Sequence, residues 1–130
     1  MRKIILAVIA VFIAWSAIDF VIHGLILRAS YAATAPLWRP MAEMKFLVLH
    51  IAVLIAALTF VLIYALLVSS RGISTGVRYG VLFGVGTGVS MGYGTYAVMP
   101  IPYAMAFTWF LGSVVEAVVG GLILGLLIRD

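Results

Sequence analysis

Charged side chains are so sparse in this chain that the apolar runs between them read directly as elements. Lys3 and Arg28 bracket 24 residues, mostly Ile, Val, Leu and Ala, broken only by Asp19 and His23. Lys45 and Arg71 bracket 25 more, containing His50 and no formal charge. From Tyr79 to Ile128 run 50 residues whose only charge is Glu116. A hydrocarbon core about 30 Å thick takes about 20 helical residues, so the last run exceeds one crossing. Met99-Pro100-Ile101-Pro102 supplies the break, because proline removes a backbone donor and clashes with the preceding turn. The pattern predicts an all-α integral membrane bundle of four transmembrane helices in a single domain, residues 1–130. The spans fall near 4–27, 46–68, 77–98 and 103–128, with an outer loop at 28–45.

Composition points the same way. Of the 130 residues, 66% are hydrophobic and 9% charged, against roughly 25% charged in water-soluble domains. Disorder and a disulfide scaffold are excluded, since apolar content is high and Cys is absent. Barrel strands are shorter and alternate apolar with polar residues, whereas these runs are apolar on every face. The first span holds fifteen Ile, Leu, Val and Phe residues. At roughly −0.3 to −0.6 kcal/mol each, they outweigh the cost of about 3 kcal/mol for one Asp.

Met1-Arg2-Lys3 before an apolar stretch resembles a secretory signal. The stretch exceeds the usual 7–15 residues, and Ala33-Thr34-Ala35 is followed by Pro36, so a retained first helix is expected. Arg2, Lys3, Arg71, Arg78 and Arg129 fall on one side of the four-span topology, and Arg28, Arg39 and Lys45 on the other. Five against three favours cytoplasmic termini in a bacterial-type inner membrane. The net charge of +4 serves lipid contact and topology, and no basic run suggests nucleic acid. In the loop, Tyr31 and Trp38 suit the headgroup boundary. With Pro40 at a first helical position and Glu43 in the first turn, the second helix is expected to start near Arg39.

Gly72, Gly76, Gly80, Gly84, Gly88 and Gly92 recur every fourth residue, and the last span answers with Ser113, Ala117, Gly121 and Gly125. Small residues at that spacing let membrane helices approach backbone to backbone. A four-residue step overshoots one turn by about 40°, so the ladder drifts round the helix. The third helix is therefore expected to cross a neighbour at a right-handed angle or be gripped by two, and to be the most buried of the four. Gly84-Val85-Gly86-Thr87-Gly88 lacks both the lysine and the preceding strand of a phosphate loop.

Candidate chemistry lies in ionisable residues that hydrocarbon penalises. Asp19 and His23 stand four apart on one helix face. His23 and His50 fall at similar depth on antiparallel neighbours, Glu116 falls near mid-membrane, and Tyr93, Thr95 and Tyr96 end the third span on the outer half. Glu43, Tyr93 and Tyr96 are candidates for an outer mouth. An acid inside a membrane is a functional hypothesis by default, and the opposing reading is that Asp19 and Glu116 merely tie the bundle together. Two imidazoles with one or two carboxylates suit a divalent metal, with His23 and His50 as ligands. The same pair could hold a haem b. Met41, Met44, Met91, Met99 and Met105 gather in the outer half, where thioethers fill gaps between helices. No nucleophile with oxyanion donors is evident, so an enzyme is not expected.

The expected function is a buried Asp19/His23/His50/Glu116 site for a proton or metal cation, serving transport or relay. The competing class is an accessory subunit of a larger membrane complex, docked through its glycine-rich third helix. A chain this small cannot easily enclose a path alone, so both readings imply a homo-oligomer or other membrane subunits within the bilayer.

Overall fold

The computed structural model describes all residues from 1 to 130, and the protein is entirely helical. Helix α1, Arg2–Asp19, continues without a break into a π-helical turn, Phe20–Ile26. A short α2, Arg28–Ala33, and two 3-10 turns, Ala35–Leu37 and Met41–Glu43, make up the connecting segment. Then come α3, Phe46–Leu67, and α4, Ile73–Gly88, the latter running on through a π-helical turn, Val89–Tyr93, into α5, Gly94–Val98. The last helix is α6, Tyr103–Leu127. Three helices are long and apolar enough to cross a membrane: Arg2–Ile26, Phe46–Leu67 and Tyr103–Leu127. The α4–α5 run, with seven glycines from Ile73 to Val98, is not among them.

The start of α3 departs from expectation. Pro40 and Met44 are extended, at ψ 151° and ψ 135°, so Met41–Glu43 is an isolated turn. The helix begins only after Lys45. Glu43 therefore lies outside the first turn of α3.

The tightest contact joins α4 to α6 in antiparallel register, and glycine is what permits it. A Cβ on Gly76 would collide with the Gly121 carbonyl, and one on Gly80 with the Ala117 carbonyl. One on Gly84 would come within 2.8 Å of the Val114 Cα, and one on Gly92 within 2.6 Å of the Ala106 carbonyl. From the other side, a Cβ on Gly125 would stand 2.6 Å from the Ile73 Cα. Helix α6 alone follows the ladder from Gly76 to Gly92, so no second gripping helix is needed. The most buried helix is α6 rather than the glycine helix, because it also receives α1. Its covered residues run from Met105 to Gly125.

Two apolar clusters hold the helices. The inner one joins Ala7, Val11 and Trp15 of α1 to Phe60, Val61 and Tyr64 of α3 and Leu124 of α6. Phe60 stacks on Tyr79 of α4 with ring centroids 4.6 Å apart, and the Tyr79 hydroxyl donates to the Phe60 carbonyl at 2.8 Å. The outer cluster joins Ile22 and Leu27 to Ile101, Met105 and Ala106. Met105 thus fills a gap between helices. From the first half of α3 only Val53 packs against a cluster, and Leu47 there is 75% uncovered by the rest of the chain.

Replacing Gly80 by Ala should destabilise the protein by about 1–3 kcal/mol, because the backbone of α6 cannot step aside as a side chain would. Gly86→Ala, where an added Cβ meets nothing within 4 Å, should be neutral. Unfolding of both variants in mild detergent checks the contrast.

Candidate functional site

The site lies between the two apolar clusters, where α1 meets α6. Trp109, Gly112, Glu116 and Gly120 follow one another at three- and four-residue steps and so share a stripe of α6. Glycine brackets the acid one turn away on either side, which lets α1 come close. A Cβ on Gly112 would meet the Ile22 Cδ1 at 2.6 Å, and one on Gly120 would meet the Trp15 Nε1 at 3.0 Å. The Trp15 Nε1 donates to the Glu116 carbonyl at 2.6 Å, pinning the two helices at this level.

Asp19 follows Trp15 by one turn and therefore faces Glu116. Their carboxyl groups are neighbours across the α1–α6 contact. Two ionised carboxylates offer only acceptors, so a hydrogen bond between them would need a proton on one. The Glu116 Oε1 and the Ser16 Oγ are both buried and receive no hydrogen bond from the protein. The acid pair is thus placed where an added proton has an oxygen waiting for it.

The π-helical turn begins at the residue after Asp19 and carries His23. Bonds spanning five residues widen the turn, so His23 stops short of stacking squarely over Asp19. Its Nε2 lies 3.8 Å from the Asp19 Oδ1. Its Nδ1 lies 2.6 Å from the Tyr31 hydroxyl, and that oxygen accepts from the Trp109 Nε1 at 2.9 Å. Trp38 packs edge-on against both Tyr31 and Trp109, while its own Nε1 donates to the Thr34 Oγ1 at 2.8 Å. Burial pushes the Tyr31 phenol above its ordinary pKa, a tendency opposed by the Trp109 hydrogen bond and reinforced by the negative charge of Asp19. Tyr31 is therefore a neutral phenol at physiological pH and can donate to the imidazole.

The ionisable groups form a line: Glu116, Asp19, His23, Tyr31. The imidazole is 45% uncovered, which makes it the point of access. An imidazole can take a proton at one nitrogen and release one from the other. Its two nitrogens face the acid pair and the phenol, the arrangement a proton relay needs.

Other expected members lie elsewhere. His50 occupies the exposed first turns of α3, and its Nδ1 donates to the Phe46 carbonyl of its own helix at 2.7 Å. The sequence could not show that the first turns of α3 stand apart from the other helices. Tyr93 bonds to the Tyr103 hydroxyl at 2.9 Å, and Tyr96 packs on the same ring, so both belong to a tyrosine cluster at the start of α6. Glu43 is exposed and unpaired. No three His, Asp or Glu side chains come together as a metal site, which leaves the His23/His50 metal and haem assignments without support. The sequence alone suggests Tyr31 only as a headgroup anchor and does not single out Trp109. Its seven-residue spacing from Glu116 was the available signal. Comparison with protein-family models, curated proteins and solved structures finds no match, so the functional reading rests on these residues.

Tyr31→Phe should remove one late-ionising phenol from an alkaline ultraviolet titration of the protein in detergent. The sign follows from the raised folded-state value. The fold favours the neutral phenol, so the stability it contributes is complete below the ordinary tyrosine range and is lost as pH rises through the raised value. A titration unchanged by the substitution would place Tyr31 outside the network.

Proposed function

We propose that this chain is a four-helix membrane protein that takes up and releases a proton at an intramembrane Asp19–Glu116 pair, with His23 and Tyr31 relaying it to the outer face. In this reading the α4–α5 run is the fourth crossing. Its 26 helical residues from Ile73 to Val98 reach about 39 Å at 1.5 Å per residue. Its low apolarity is tolerable because α6 covers the glycine face.

The observation that carries the proposal is the placement of the two acids as neighbours at the head of the His23–Tyr31 line. A single buried acid could be a tie between helices. Two acids facing each other exclude a doubly ionised state, because like charges in contact without water repel strongly. The pair changes its proton count by exchange with a nearby group, and His23 is the imidazole beside it. Access is one-sided. Inward of Glu116 the inner cluster closes the bundle with Trp15, Phe60 and Leu124, so the chain on its own binds protons without conducting them through. Passage to the cytoplasmic side calls for a partner or a second conformation.

The competing reading, an accessory subunit docked through the glycine ladder, meets a steric obstacle. The ladder face is filled by α6 from Gly76 to Gly92, so a partner would have to bind another surface.

In liposomes, a fall in outside pH should produce proton uptake of about one per chain, read by an external indicator. Asp19→Asn and Glu116→Gln should each abolish the uptake while leaving helix content intact. His23→Ala should slow it by at least about 100-fold, the usual scale for losing a positioned proton carrier. Uptake equal to that of empty liposomes, or unchanged in both acid variants, would overturn the proposal.

A further inference from the structure

A second feature lies apart from the acid pair, where the connecting segment meets the start of α3. A groove of about 390 Å³ is walled by Leu37, Trp38, Phe46 and Leu49, with Arg39 and Lys45 beside them. Neither cation has a carboxylate partner, since the protein's ion pairs are His23–Asp19 and Arg71–Asp130. Glu43, the one acid in this segment, does not line the groove. Below it the outer half of α3 is bare, with Leu47, Val48 and Ile51 all uncovered. Trp38 fixes the level, since indoles favour the headgroup boundary.

From these features we infer that the groove is a binding site for one phospholipid with an anionic headgroup. Arg39 and Lys45 neutralise the phosphate and the net negative charge, and an acyl chain lies along α3 from Phe46 past Leu49. Charge complementarity selects the occupant. Two free cations match a headgroup of net negative charge, whereas a zwitterionic headgroup brings its own cation into the same space and is repelled. A second copy of the chain would present this surface with the same two cations rather than with their counter-charges.

The test is native mass spectrometry of the intact protein released from bilayers of equal phosphatidylglycerol and phosphatidylcholine. The parent should retain phosphatidylglycerol preferentially. The double variant Arg39→Gln/Lys45→Gln should lose that preference by about 25-fold, near fivefold for each basic residue at a membrane surface. Arg2→Gln/Lys3→Gln, which removes equal charge away from the groove, should keep it. Equal retention of the two lipids by the parent would overturn the inference. So would equal loss in the two double variants, which is the signature of diffuse attraction, or a dimer that carries no lipid and separates when Arg39 and Lys45 are replaced.

Discussion

Between helices surrounded by lipid there is no hydrophobic drive to associate, since acyl tails are as apolar as leucine. Close packing and polar contacts must do the joining, and in this protein both converge on α6. On one side its backbone meets that of α4 so closely that a single methyl group at Gly76 or Gly80 would strike a carbonyl. On the other, glycines at 112 and 120 admit α1, and the Trp15 indole bonds to the Glu116 carbonyl. The remaining features of the fold follow from a helix held on both flanks without its own side chains in the way.

The same closeness explains how two acids come to share a site in a medium that penalises each of them. An isolated Asp or Glu at mid-membrane would cost about 3 kcal/mol. Brought together with one proton between them, as proposed, they would pair one oxygen of each and leave the Glu116 Oε1 open. The π-helical turn after Asp19 then offsets His23, leaving it near enough to the acid to exchange and free to bond to Tyr31. Packing on α6, the widened turn of α1 and the aromatic cover of Tyr31, Trp38 and Trp109 are therefore parts of one arrangement. In the proposed reading it ties an apolar interior to the outer surface by way of titratable groups.

Much of this was legible in the chain itself. Apolar run lengths located the helices, and the proline pair at 100 and 102 marked the last break. The four-residue glycine spacing found the ladder and the small residues of the last span that answer it, but not that this span alone covers it. Spacing states that a helix has a smooth face, and only the fold shows that α6 fills all of it. Asp19, His23 and Glu116 were identifiable because charge is costly in lipid. His50 met the same criterion and lies elsewhere, because depth along a helix is readable from sequence while lateral separation of α3 is not. The bonds of Tyr31 and Trp109 were hidden for a related reason. They depend on how α2 folds back over α1, and a π-helical turn leaves no simple periodic mark.

The most direct measurement is infrared spectroscopy of the carboxyl groups in reconstituted membranes at neutral pH. A shared proton predicts one protonated carboxylic acid band in the parent protein, lost or displaced in Asp19→Asn and in Glu116→Gln alike. Absence of any protonated acid at neutral pH would mean that both groups are ionised and hydrated, and would contradict the contact on which the account rests.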